Sequence, residues 1–330
     1  MGHDVGSFNT TEFDIFLISY DEPNAEENWA DLLSKAPWAK RVHGVKGFDS
    51  AHKACANQSE TERFITVDGD NVVYPEFFDV SVNITDRFKD CVLSWAGRNV
   101  INELVYGNGG LKLWTRDFVL NMHTHENADR KEETVDFCWD GRYVQLNNTY
   151  SETRPNASPF QAFRAGFREG CKMTLDRGAK IDPLRIADVV HRKNLNRLLI
   201  WANVGADVKN GLWAIYGTRL GIHHTNIDPS FDIASISDYD WFRSYFYGEV
   251  LPSFIPDPNS ASQKCPGTGM KWNPEELRER CELLGNVIVM ELGLPMAELN
   301  ANASSFFKSV YEPPKRSLNP MITEIEADAK

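Results

Sequence analysis

Between Asp14 and Asp70 the chain alternates short apolar runs with helix-spaced stretches. The repeat is roughly 25 residues, and this constrains the fold more than any other feature of the sequence. Asp14-Ile15-Phe16-Leu17-Ile18-Ser19-Tyr20 is rich in β-formers and reads as a buried strand. Pro23 to Ser34 carries helical spacing, with Trp29, Leu32 and Leu33 on one side. A second strand is expected over Arg41 to Val45, and a helix from about Ser50 to Gln58. Phe64-Ile65-Thr66-Val67 is a third strand that runs directly into Asp68. Such alternation predicts an α/β fold with a parallel, Rossmann-like sheet and crossover helices, in which ligands collect at the carboxyl ends of the strands. Tyr20-Asp21-Glu22 and Asp68-Gly69-Asp70 both lie at such ends.

Beyond Asn71 the pattern is mixed. Strands are expected at Phe88 to Trp95, Leu111 to Trp114 and Tyr143 to Leu146. From Pro159 helices dominate, at about Phe160 to Lys172, Pro183 to Ala202 and Pro274 to Leu292. Pro252 to Pro266 reads as a loop, and the tail after Pro313 as extended or poorly ordered. An α/β domain over 10–175 is expected, followed by a mostly helical portion over 176–330 that packs on it and binds the acceptor.

The polar start, Met1 to Thr11, has no signal-peptide pattern, and no apolar run is long enough for a bilayer. The six cysteines show no CxxC spacing and read as reduced, mostly buried thiols. Together these features predict a cytoplasmic protein (host cytoplasm if viral) with no membrane partner. A formal charge of −12 argues against a uniformly nucleic-acid-coating surface. Yet Arg154 to Arg219 holds twelve Lys/Arg and five Asp/Glu. That stretch is either one anion-facing surface or a set of solvated helix faces.

Asp68 and Asp70 point the same way on an extended chain, and their mutual repulsion favours a bound cation. Hard oxygen ligands suit Mg2+ or Mn2+, which bridge phosphate oxygens and would neutralise a diphosphate leaving group. Gly69 permits close backbone approach. Arg164 and Arg168 sit one helical turn apart, with Arg154 upstream, a spacing that can grip a diphosphate or a DNA backbone. Gly109 and Gly110 allow a sugar or base to approach backbone amides. Lys112 either contacts phosphate or faces solvent from a half-buried strand. Asp136, flanked by apolar residues and so expected to be partly buried, is the preferred candidate for a general base, and Asp140 the second. Histidines 123, 125, 223 and 224 are candidate third metal ligands, with His224 favoured because His223-His224 follows Gly221 on an expected loop.

The segment Gly47-Phe48-Asp49-Ser50-Ala51-His52-Lys53-Ala54, followed by Thr61 to Asn71, resembles the nucleotide-sugar half of GT-A glycosyltransferases. The resemblance covers about residues 13–75. It implies that Asp68 and Asp70 are metal or ribose ligands and that Tyr20, Asp21 and Glu22 lie against the nucleoside. His52 and Lys53 stand where an Arg-Asn pair is commoner, near the diphosphate. A second resemblance rests on Arg98-Asn99, on Tyr106-Gly107-Asn108-Gly109-Gly110-Leu111-Lys112-Leu113-Trp114 and on Thr153 to Gly170. These segments are similar to phage-type GT-A enzymes and to transferases that decorate 5-hydroxymethylated pyrimidines in DNA, including the base J glucosyltransferase. They imply a nucleotide-sugar co-substrate and a double-stranded DNA partner with modified bases. Alternatives are a same-fold transferase acting on a surface glycan or lipid precursor, and a binding module without catalysis.

Overall fold

The computed structural model describes residues 5–106, 109–122, 124, 140–176, 178–254, 263–264, 271–313 and 325. The chain is α/β and forms two compact units. One comprises 1–100, 105–154 and 313–330, and the other 101–104 and 155–312. The division falls at Arg154/Pro155 instead of near 175, because the helix that follows packs on its helical neighbours.

The first unit contains β1 (Gly6–Asn9), β2 (Asp14–Ser19), α1 (Ala25–Lys35), β3 (Lys40–His43), α2 (Phe48–Gln58) and β4 (Arg63–Asp68). These continue into β5 (Asn71–Val73), β6 (Ser81–Ile84), β7 (Val92–Asn99), β8 (Val105–Tyr106), β9 (Leu111–Thr115), α3 (Arg116–Asn121) and β10 (Tyr143–Thr153). α1 suits its dipole, with Glu26 and Glu27 in the first turn and Lys35 in the last. The main sheet runs β3-β2-β4-β9-β7-β10-β5, with β8 on β7 and β1–β6 a separate pair. β3, β2 and β4 are parallel, as expected. Beyond Asn71, where the sequence pattern is mixed, the sheet is mixed too: β9 lies antiparallel between β4 and β7, and β5 antiparallel to β10. β7 starts four residues later than expected and β10 extends to Thr153, so it spans eleven residues.

The pleat gives this sheet two different faces. On one, Ile15, Leu17, Ile65, Val67, Leu93, Trp95, Leu111 and Leu113 pack with Leu32 and Ala36 of α1 and with Phe77 and Phe88. Each such side chain contributes about 1.5–3 kcal/mol when fully buried. Ile325, from the tail expected to be loose, is buried in this core. The other face begins apolar, with Phe16, Phe64, Val92 and Trp114 under Cys55 and Ala56 of α2 and Phe118 of α3. Part-way along the strands it turns polar, and the site is built on that half.

The second unit contains α4 (Pro159–Lys172), α5 (Ile186–Val189), α6 (Arg192–Asn203), α7 (Gly211–Asn226), α8 (Tyr239–Tyr245), α9 (Pro274–Leu292) and α10 (Ala301–Val310). The expected 183–202 helix is interrupted where Val190 turns extended, and His191 caps the new start. α7 was not expected, because Gly211, Gly217 and Gly221 weaken a helical pattern. Those glycines are what pack it. A methyl on Gly217 or Gly221 would overlap the carbonyl oxygens of Phe163 and Phe167, and one on Gly166 or Gly170 those of Ala214 and Thr218. The two helices therefore meet backbone to backbone. Among the described residues no helix is long and apolar enough to cross a membrane, and Cys55, Cys91, Cys171 and Cys281 are free and buried.

Candidate active site

Three successive rungs of the sheet define the polar face. Phe16, Thr66, Lys112 and Ser94 are register partners across β2, β4, β9 and β7. One step toward the carboxyl end of β4, Ile18 pairs with Asp68. Farther on, Arg98 pairs with Glu152, which pairs with Val72. The strands therefore carry an apolar core at one end and a row of ionisable groups at the other.

The Asp68-Gly69-Asp70 turn between β4 and β5 is tied down by backbone partners. Asp68 N–H donates to Gly110 O at 3.0 Å, and Arg154 N–H to Asp70 O at 2.8 Å. The buried Asn28 of α1 donates to Gly69 O at 2.9 Å, and Asn24 to Arg154 O at 3.1 Å. At Gly69 a Cβ would come 2.9 Å from Glu22 Oε2 and 3.0 Å from Ile18 O, so a larger residue there would displace the Glu22 side chain. Glu22 accepts from Tyr20 N–H at 2.7 Å, which folds the end of β2 back toward the turn. Tyr20, Glu22, Asp68, Gly69 and Asp70 are thus assembled at one edge, with Asp21 exposed beside them. Replacing Asn28 by Ala removes a donor to a buried carbonyl. A stability loss of about 1–3 kcal/mol is expected, read as a lower urea midpoint with unchanged slope.

Burial pushes the Asp68 carboxyl above its ordinary range, and the Lys112 charge opposes this. Lys112 is 3% exposed, which excludes the solvent-facing alternative for this residue. Its charge also acts on His52 of α2. His52 Nδ1 donates to Phe48 O at 2.8 Å, so Nε2 carries the lone pair, and it is buried without a hydrogen bond. Its ring packs on Phe48 and meets Trp114 edge-on. Ser94 Oγ and Asn71 Oδ1, on the same sheet, are likewise buried without a partner. Lys53 is held by Asp49 at 2.9 Å.

Burial lowers the His52 pKa to about 3. Its unfolded value is about 6.5, so the folded state binds fewer protons below that pH. Stability is fully present above pH 6.5 and falls by about 1.4 kcal/mol per pH unit down to pH 3. Urea midpoints between pH 7 and 4 are expected to show that slope in the wild type. In His52→Gln the slope should be reduced.

Other expected site residues fall elsewhere. Gly109 and Gly110 are close-approach glycines, but what they approach is the protein itself. A Cβ on Gly109 would overlap Gly97, and one on Gly110, whose φ is +80°, would come 2.8 Å from Asp68 Oδ2. Asn71 Nδ2 donates to Gly109 O. Asp140 precedes β10 at the end opposite Thr153; β10 bulges twice and keeps register with only Val92 to Asn99 of β7, so the two ends are roughly 23 Å apart at 3.3 Å per residue. It is bound by Arg142 at 2.9 Å, whose hydrogen bonds hold its carboxyl low. It is not part of this site. Asp136, His123 and His125 lie outside the described residues. Arg164 and Arg168 lie on α4 in the second unit, with the Arg164 guanidinium 5.1 Å from the Tyr239 ring centre. His224 also lies in that unit, within α7 and not on a loop. Its Nε2 bonds Tyr245 Oη at 2.8 Å and its Nδ1 bonds Asp228 at 3.2 Å, so both ring nitrogens are engaged.

Among the described residues no three His, Cys, Asp or Glu side chains gather for a metal. Two carboxylates are nevertheless a sufficient protein contribution for Mg2+ or Mn2+ when waters and phosphate oxygens complete the shell. The all-oxygen set of Asp68 and Asp70 fits such an ion.

Two residues were not singled out from the sequence. Glu152, on β10, accepts from Arg98 at 2.5 Å and from Arg154 at 2.7 Å. Burial opposes ionisation there, but the two arginine hydrogen bonds hold the carboxyl below its usual range. Ser94 becomes a site residue only through its register with Lys112. The strand spacing Glu152-x-Arg154 was a legible signal; Ser94 had none.

No protein-family model matches the sequence, and no curated protein matches it. Solved structures of S. aureus TarS are remotely similar. One, of residues 1-349, shares 10% identity over 79% of this chain and 99% of that one, with a TM-score of 0.29. Another, in complex with UDP, shares 11% over 81% and 91%, with a TM-score of 0.27.

Proposed function

We propose that the chain is a metal-dependent glycosyltransferase that takes its sugar from a nucleotide sugar. The observation that carries this reading is the Asp68-Gly69-Asp70 turn, fixed at the carboxyl end of β4 where the sheet face changes from apolar to ionisable. Tyr20, Asp21 and Glu22 bound the nucleoside side, and His52 and Lys53, in the second turn of α2, serve the diphosphate side. Lys112, buried beside Asp68, adds a fixed positive charge behind the turn. The unpartnered His52 Nε2 is an acceptor for a ligand hydroxyl or N–H. A divalent ion on Asp68 and Asp70 would supply charge neutralisation at the leaving diphosphate. Asp136 is the proposed general base of an inverting transfer.

The acceptor follows from the resemblance of the Arg98, Tyr106 to Trp114 and Thr153 to Gly170 segments. It is a hydroxymethylated pyrimidine in DNA. The net charge of −12 favours a second reading, a surface glycan or lipid precursor as acceptor.

A thermal-shift screen of nucleoside diphosphates with and without Mn2+ tests the donor half. One nucleotide at a hundred times its Kd is expected to stabilise the fold by about 2.7 kcal/mol, only with the metal, and Asp70→Ala is expected to remove the shift. Absence of a shift for every diphosphate would overturn the reading. Transfer to hydroxymethylated DNA, assayed with the nucleotide sugar so identified, tests the acceptor.

A further inference from the structure

The geometry points to a phosphate-binding site at Arg98 and Arg154, organised by Glu152, that receives a phosphodiester of the acceptor DNA. This rests on the donor reading above and extends it to the other side of Asp70. The two guanidiniums come from neighbouring strands, at the end of β7 and just past β10, and both are bound to the one Glu152 carboxylate. Glu152 is buried, whereas the arginine side chains are 41% and 40% exposed. Tyr74 Oη accepts from Arg98 Nε at 3.2 Å and completes the support. The charged heads are thus fixed before any ligand arrives, which lowers the entropy lost on binding.

Position and charge select the ligand. Asp68 lies on β4, and Arg98 lies two strands away across β9, about 10 Å at 4.8 Å per strand. Arg154 N–H binds Asp70 O and Arg154 O accepts from Asn24, so Arg154 lies against the turn, while Arg98 on β7 stands on the side of β4 opposite β2. A nucleoside stacked at the end of β2 leaves this flank to the acceptor. Two guanidiniums and one carboxylate leave a residual charge of about +1, which suits a phosphodiester monoanion better than a multiply charged diphosphate. Guanidinium forks match phosphate oxygens in pairs.

The test measures affinity for a short DNA duplex by fluorescence anisotropy across a salt series, beside the nucleotide-induced melting shift. Arg154→Gln and Arg98→Gln are each expected to weaken duplex binding about tenfold at low salt and to reduce the log–log salt slope by about 0.9. Glu152→Gln keeps the shape but removes the negative charge, and it should bind the duplex several-fold more tightly, which a purely structural glutamate would not do. Unchanged duplex affinity in both Arg154→Gln and Glu152→Gln overturns the assignment. So does a nucleotide shift that falls in Arg154→Gln as much as duplex binding does, because the pair would then serve the donor. Duplex binding that depends on both arginines in a protein with no nucleotide shift upholds this site and removes the donor reading instead.

Discussion

Asp68→Asn is expected to raise the melting temperature of the ligand-free protein while reducing sugar transfer on the order of 10^3-fold. The two effects share one cause. The Asp68 carboxyl is desolvated at the base of the turn, with Lys112 nearby as partial compensation. Burial of a charge without a full complement of partners destabilises a fold. Asn retains the shape and one acceptor but no charge, so it relieves that destabilisation and discards the anionic ligand together. Asp70→Asn provides the contrast: similar loss of transfer, with little gain in melting temperature. Differential scanning fluorimetry and a single-turnover transfer assay measure both. A drop in melting temperature for Asp68→Asn with activity retained would show that the carboxylate is a structural anchor.

The second large effect lies in the helical unit. Gly217→Val is expected to cost more than about 3 kcal/mol, because the added carbons meet the backbone of Phe163 and Phe167 and not a movable side chain. Helix propensity alone would favour the change by a few tenths of a kcal/mol, so the sign of the result separates local preference from packing. Gly248→Ala is the control. Nothing lies within 4 Å of a Cβ there, and its midpoint should move by less than about 1 kcal/mol. Equilibrium unfolding followed by far-UV circular dichroism reads both. A near-wild-type midpoint for Gly217→Val would mean that α4 and α7 can separate cheaply.

Particular residues explain what was legible from sequence. β2 and β4 were, because each is a short β-branched and aromatic run ended by polar residues, and their parallel pairing follows from the intervening helices. The insertion of β9 between β4 and β7 was not. Its place depends on Gly97 and Gly109 touching across strands, a contact with no local signature. The full length of β10 was also hidden, since Gln145, Asn147 and Asn148 dilute its strand character. Asp140, the second candidate base after Asp136, sits at the far end of that strand. α7 was missed through its glycines. A paired reading of Gly166/Gly170 with Gly217/Gly221 would have recovered it, because equal four-residue spacing on two segments is a cue for close helix contact. The burial of His52 had a signal too: Phe48, His52 and Cys55 recur at helical spacing and face the same sheet.

The face of the sheet that changes character along its length has one more consequence. The same strands that form the apolar core beneath α2 carry Lys112, Ser94 and Asp68 with no loop between. A nucleotide bound on the polar half, as proposed, would therefore stabilise the core directly, and resistance to proteolysis would rise with its concentration.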